Sequence, residues 1–170
     1  KDPAAALLGA LLQGALGGKS QTSRTTTAPA ATPAAVIHTA ANISNAFDVA
    51  LEFSSWKTTG KFSLGPYQGS LPRAGYRLVY QPGQPMELVR IGSRGTFVLN
   101  RTTRPVSLED KKVHKLLWTR DTNGRMQITL DGQLLIDVPD QNFRDAFQGM
   151  VIINQGTDVI VKSVSLNSPG

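Results

Sequence analysis

The chain of 170 residues has no cysteine. That absence excludes a disulfide framework, a thiolate zinc centre and a thiol nucleophile, and it suits a reducing or an oxidising compartment equally. Histidine is nearly absent too. His38 and His114 have no second histidine and no carboxylate at metal-ligand spacing, so neither a metal site nor a cofactor is expected. Acidic residues are few, 12 against 18 Lys and Arg, and they are not paired. A glycoside hydrolase built on strands needs two carboxylates held roughly 5–10 Å apart, which alternate strand positions would supply. Glu109 and Asp110 are adjacent and fall in the turn before Val113, while Asp131, Asp137 and Asp140 sit at hairpin turns or strand ends, where aspartate bonds local backbone. No catalytic residue is expected. There is no glycine-rich phosphate loop, and Asp121-Thr-Asn-Gly124 is a fragment of a calcium loop at most, better explained as a hairpin turn. Long apolar runs are missing as well. The stretch from Ala4 to Leu16 is too short to span a bilayer and is interrupted by Gly9, Gln13 and Gly14, so no transmembrane helix is expected.

Three segments organise what is present. Residues 1–18 place Leu7, Leu8, Leu11 and Leu12 at helical spacing with no charge between Asp2 and Lys19. Such a helix must bury its leucine stripe against its own domain, a partner copy or a membrane surface, and protein packing, including self-association, is favoured because a membrane-surface helix usually carries Lys or Arg on its polar face. Residues 19–35 are Ser, Thr, Ala and Pro with little else, the composition of an extended linker. The chain begins at Lys1, so any export signal is expected to lie upstream.

From residue 36 to 168 the pattern is strands and turns. Phe47 to Phe53 alternates; Tyr76 to Tyr80 and Met86 to Ile91 flank Gln81-Pro-Gly-Gln84; Thr96 to Asn100 follows Gly92-Ser-Arg-Gly95. Val113 to Arg120, Arg125 to Leu130 and Gln133 to Val138, separated by DTNG and DG, form a meander. Gly149 to Asn154 and Asp158 to Leu166 close the domain. About ten short strands at this spacing predict an all-β, two-layer antiparallel sandwich.

Charge is uneven along this domain. Lys57, Lys61, Arg73, Arg77, Arg90, Arg94, Arg101 and Arg104 face Glu87 alone between residues 57 and 104. Gathered on one side, they would suit an acidic polysaccharide or a lipid headgroup; scattered, they only solubilise. An acidic polysaccharide is favoured over nucleic acid. Tyr76 and Tyr80 share a strand face with Leu78, and tyrosines on a half-exposed face can stack on a pyranose while polar groups hold its hydroxyls. With Trp56 and Tyr67 they complete the aromatic candidates; a core face with the hydroxyls at its rim remains the alternative.

The run from His114 to Asp140 (HKLLWTRDTNGRMQITLDGQLLIDVPD), followed by Phe147 to Gly156 and the closing alternating strand, resembles the concanavalin A-like lectin/glucanase jelly rolls. It is most similar to laminin-G-type and related bacterial sugar-binding or family-16-like domains. The resemblance implies two stacked antiparallel sheets, a ligand groove on the concave sheet or at rim loops, and an exported, periplasmic or extracellular location. It departs from the hydrolases in lacking their Glu-x-Asp-x-x-Glu strand, and from legume lectins in lacking their Asp/Asn calcium cluster. The expectation is a non-catalytic carbohydrate- or polyanion-binding module. A structural or protein-interaction module is the alternative, and a hydrolase assembled from distant carboxylates the third.

Overall fold

A computed structural model describes residues 34–168. The expected leucine helix at 1–18 and nearly all of the 19–35 linker lie outside the described residues. Among those residues there are eleven strands and no helix, and no helix long and apolar enough to cross a membrane. In chain order they are β1 (Ala35–Ile43), β2 (Phe47–Ser54), β3 (Lys61–Gln68), β4 (Ala74–Tyr80), β5 (Pro85–Gly92), β6 (Gly95–Pro105), β7 (His114–Arg120), β8 (Arg125–Leu130), β9 (Gln133–Pro139), β10 (Phe147–Gln155) and β11 (Ile160–Asn167).

They form two antiparallel sheets, one of six strands in the order β1-β10-β3-β4-β5-β6 and one of five in the order β11-β2-β7-β8-β9. Alternation explains the layering, because successive side chains leave a strand on opposite faces. Val49 and Leu51 of β2, Leu116 and Trp118 of β7, and Met126 and Ile128 of β8 point into the sandwich, where they meet Leu64, Tyr76, Leu78, Leu88 and Phe147 from the six-stranded sheet. Burying each such side chain contributes about 1.5–3 kcal/mol before entropy is counted. The β8–β9 turn is Asp131-Gly132 with φ of 50° and 82°, the doubly left-handed pair that a two-residue hairpin needs.

Two strands go beyond the sequence pattern. Residues 35–43 form a full edge strand, and KFSLGPYQ forms β3 near the centre of the six-stranded sheet although Gly and Pro are both disfavoured inside a strand. Proline in a central strand removes a ladder donor. Here the register sets Pro66 opposite Tyr76, and the Arg77 side chain supplies the missing hydrogens. Its Nη1 donates to the Tyr76 carbonyl at 2.7 Å and to the Pro66 carbonyl at 3.1 Å, and its Nη2 to the Pro72 carbonyl at 2.8 Å. Gly65 permits the close approach: a Cβ there would lie 2.0 Å from the Tyr76 oxygen.

Candidate functional site

The aromatic platform expected from Tyr76 and Tyr80 does not form, because the face they share is the inner one. Tyr76 is fully buried and Tyr80 nearly so. Burial disposes of the rings, and hydrogen bonds dispose of the hydroxyls: Tyr76 donates to Asp140 Oδ1 at 2.7 Å and Tyr80 to Glu109 Oε1. Burial first, then the neighbouring carboxylates, push both phenols well above their ordinary pKa. Tyr67 is buried on the other face of the sheet, its ring edge-on to His38 at 6.2 Å.

The basic residues do not converge either. Arg77 is 2 % exposed, and burial pushes its guanidinium down to about 10. Arg73 and Arg94 lie in the β3–β4 and β5–β6 connections at one end of the sandwich, whereas Arg104 and Lys61 lie at the opposite end, because β3 begins and β6 finishes there. Arg101 faces out opposite Glu87. Exposed Trp56 belongs to the end away from Arg73, its amide hydrogen-bonded to Asp158 Oδ1. Only Arg90 joins a polar constellation.

That constellation lies at the end where β7 turns into β8. Arg120, 3 % exposed, ends β7 and binds two connections, β1–β2 and β9–β10: Nη1 donates to the Asn45 carbonyl at 2.6 Å, and Nη2 to the carbonyls of Asp140 at 2.9 Å and Phe143 at 3.2 Å. The Asp140 carboxylate accepts from the Tyr76 hydroxyl, from the Asn142 amide at 2.9 Å and side chain at 3.0 Å, and from Arg90, its ion-pair partner. Burial alone would raise the Asp140 pKa; the Tyr76 hydroxyl, the two Asn142 donors and the Arg90 charge outweigh it and hold the group below its usual value. Arg90 in turn stacks 5.1 Å from the centroid of Phe97, an aromatic ring 43 % exposed.

This framework fixes a polar surface above it. A depression of about 340 Å³ runs past Asp48, Asp121, Thr122, Arg125 and Gln127, one of about 200 Å³ past Asn45, Asn123, Gln141 and Arg144, and one of about 670 Å³ past Asp137 and Pro139. All three share the turn Asp121–Gly124. The turn is rigid because Asp121 Oδ1 accepts the amides of Asn123 and Arg125, each at 2.9 Å, and its carbonyl accepts that of Gly124 at 3.0 Å. Arg125 grips Asp137 through two bonds of 2.7 and 2.6 Å, which with Gln127 hold the Asp137 carboxyl down to about 2. A carboxylate this acidic stays ionised at neutral pH and is no proton donor. The rim therefore offers amide, guanidinium and carboxylate groups suited to holding hydroxyls, and the Phe97 ring lines none of the three depressions but is linked to them through Arg90 and Asp140. Among the described residues, no cluster of three or more His, Asp or Glu could hold a metal ion.

The sequence pattern missed Phe97, Asp140, Asn123 and Gln141 as site candidates. It also read His114 as lacking a neighbouring carboxylate, whereas Asp131 and Asp110 flank its two ring nitrogens at 2.8 and 2.9 Å. The spacing of Asp110 four residues before His114 was the available signal.

The same two-sheet antiparallel jelly-roll fold is found in solved structures of a carbohydrate-binding module and of galectins. The carbohydrate-binding module CBM66 from Bacillus subtilis superposes with a TM-score of 0.65, 17 % identity, and coverage of 79 % of this chain and 82 % of its own. A double variant of human galectin-16 gives 0.64 at 14 % identity, covering 78 % and 95 %. Congerin II, solved with lactose and MES, gives 0.56 at 14 %, covering 76 % and 100 %. At these identities the likeness is one of fold. No protein-family model matches the chain, and no curated protein matches it in sequence.

Proposed function

We propose that the sandwich is a non-catalytic carbohydrate-binding module of an exported protein, and that it holds its glycan at the rim around Asp121–Gly124, Gln141 and Phe97. The observation that carries the reading is the pairing of this fold with a pre-organised polar rim. Arg120 ties the β1–β2 and β9–β10 connections together beneath the rim, and Gln141 donates to the Asn123 carbonyl, so part of the rim is positioned before any ligand arrives, which lowers the entropy cost of binding. Neighbours of the same fold include a protein described as a carbohydrate-binding module and one solved with lactose. The Ser/Thr/Ala/Pro composition of residues 19–35 supports an extracellular or periplasmic tether. Arg125 and Asp137 neutralise each other, so the rim is suited to neutral or weakly acidic sugars more than to a polyanion.

A glycan array followed by calorimetry on the full chain tests this. Phe97→Ala and Asn123→Ala should each weaken binding about tenfold, the equivalent of about 1.4 kcal/mol; Asn123→Ala should leave the melting temperature within about 2 °C, and Phe97→Ala, which loses its stack on Arg90, should lower it by about 2–4 °C. A protein that binds no glycan on the array, or variants that bind as the parent does, would remove the proposal.

A further inference from the structure

Residues paired across an antiparallel ladder project to the same side, so the outer face of the five-stranded sheet is ordered in rows. One row crosses the whole sheet beside the rim. In register it runs Asn167 of β11, Asp48 of β2, Thr119 of β7, Gln127 of β8 and Asp137 of β9. Every member carries a hydrogen-bonding group, and none is Lys, Arg or Glu. The next row, Ser165, Ala50, Leu117, Thr129 and Leu134, is short or apolar, with Leu117 39 % and Leu134 50 % exposed.

The two ends of the polar row differ. Toward β9 the groups hold one another, since Gln127 Nε2 donates to Asp137 Oδ2 at 3.1 Å and Arg125 grips the same carboxylate. Toward β11 the side chains of Thr119, Asp48 and Asn167 have no hydrogen bond or ion pair among the described residues. Charge further along this face is self-paired, as Glu52 and Lys115 are at 3.4 Å, whereas Asp48 is a carboxylate without a cation. The depression of about 340 Å³ lies over these groups: Thr119 lines it between Asp48 and Gln127, and Asp121 and Arg125 join it to the rim depression past Asp137.

We infer that an extended, uncharged polysaccharide lies across the strands along this row, so that the module grips the interior of a linear chain and not a terminal sugar. The inference rests on the glycan reading above and names the ligand class of that site. Neighbouring strands lie about 4.8 Å apart, so the row spans about 19 Å, and its groups recur at close to the length of one sugar ring in an extended chain. The row also runs from one edge strand to the other, which lets a chain enter and leave. A sugar has a hydroxyl edge and a C–H face; hydroxyls held by Asp48, Thr119 and Gln127 set the C–H faces over Leu117 and Leu134. Polyanions are excluded by charge, because Asp48 is an open negative group and Arg125 is already neutralised by Asp137.

Calorimetry of the full chain with cello-, manno- and xylo-oligosaccharides of up to about six sugars tests this, since the row holds roughly four rings. In a series that binds, affinity should rise about tenfold or more from disaccharide to tetrasaccharide and then level off. Asp48→Ala combined with Thr119→Val should weaken the tetrasaccharide about tenfold with the melting temperature unchanged, because neither side chain bonds the fold. Glu87→Gln, on the outer face of the six-stranded sheet, should bind as the parent does. A disaccharide held as tightly as the longer sugars would overturn the inference and leave the glycan reading standing. So would parental binding by the double variant, lost binding in Glu87→Gln, or a Leu117→Lys change that alters sedimentation of the ligand-free protein, which would give this face to a protein partner. Series that all fail to bind would overturn it too, and with a silent glycan array would remove both readings.

Discussion

Replacing Asp140 by Asn removes one charge and almost no volume, so its effect isolates what the carboxylate does. Oδ2 accepts from Arg90 Nη1 and Asn142 Nδ2, and Oδ1 from the Tyr76 hydroxyl and the Asn142 backbone amide. An amide nitrogen in the first position faces two donors; in the second it still faces the Asn142 N–H. Either way Arg90 loses its counter-ion. Breaking a buried pair by removing one partner costs about 3–5 kcal/mol, and Arg90, one-fifth exposed, can recover some hydration, which places the expected loss near 3 kcal/mol. At roughly 2–4 °C per kcal/mol for a chain of this size, the melting temperature should fall by about 6–12 °C. The pH profile gives a second reading. The folded pKa of Asp140 is depressed, so its stabilisation is present above the unfolded value of about 3.9 and is lost as pH falls through the folded value. Scanning calorimetry from neutral to acidic pH should therefore show the parent losing this increment in acid while Asp140→Asn has none to lose. Combining it with Arg90→Met should cost less than the two changes separately. A melt within about 2 °C of the parent, or strict additivity, would refute the assignment.

His114 should give the opposite pH signature. Burial alone would lower its pKa, but the bonds to Asp131 and Asp110 and their charges outweigh it and raise it. The stabilisation is then fully present below the unfolded value of about 6.5 and lost as pH rises through the folded one. Urea midpoints should decline across that window in the parent and flatten in His114→Gln; equal slopes would dismiss the clamp. Gly65→Ala should be far more damaging than a surface substitution, since the new methyl meets the Tyr76 carbonyl at 2.0 Å and backbone must move. Overpacking of this kind costs about 1–3 kcal/mol or more, read as a lowered melting temperature or an insoluble product, and a normal melt would contradict the packing described.

The fold was legible because hairpin chemistry is local. Asp131-Gly132 and Asp121-Thr-Asn-Gly124 set the meander of β7, β8 and β9 from adjacent residues, and the alternation of Phe47, Val49, Leu51 and Phe53 defined an inner face that the structure keeps. β3 escaped for an equally physical reason. Gly65-Pro66 has the chemistry of a turn, and nothing in its neighbourhood along the chain reveals that Arg77, eleven residues later, supplies the hydrogen-bond donors that proline removes.

The rim was illegible because alternation tells which residues share a face without telling which face is inside. Tyr76, Leu78 and Tyr80 do share one, and two tyrosines with a leucine fit a sugar platform and a core equally until the opposing sheet is in place. Once Trp118 and Phe147 fill the space between the sheets, the tyrosine rings are closed to any ligand and only their hydroxyls retain polar work. Tyr76 spends its hydroxyl on Asp140, 64 residues away, and Arg120 reaches 75 residues back to Asn45. These long-range bonds turn a buried aromatic face into the support of an exposed polar one, and Tyr76 and Arg90, which looked like ligand contacts, become part of the frame around Asp140.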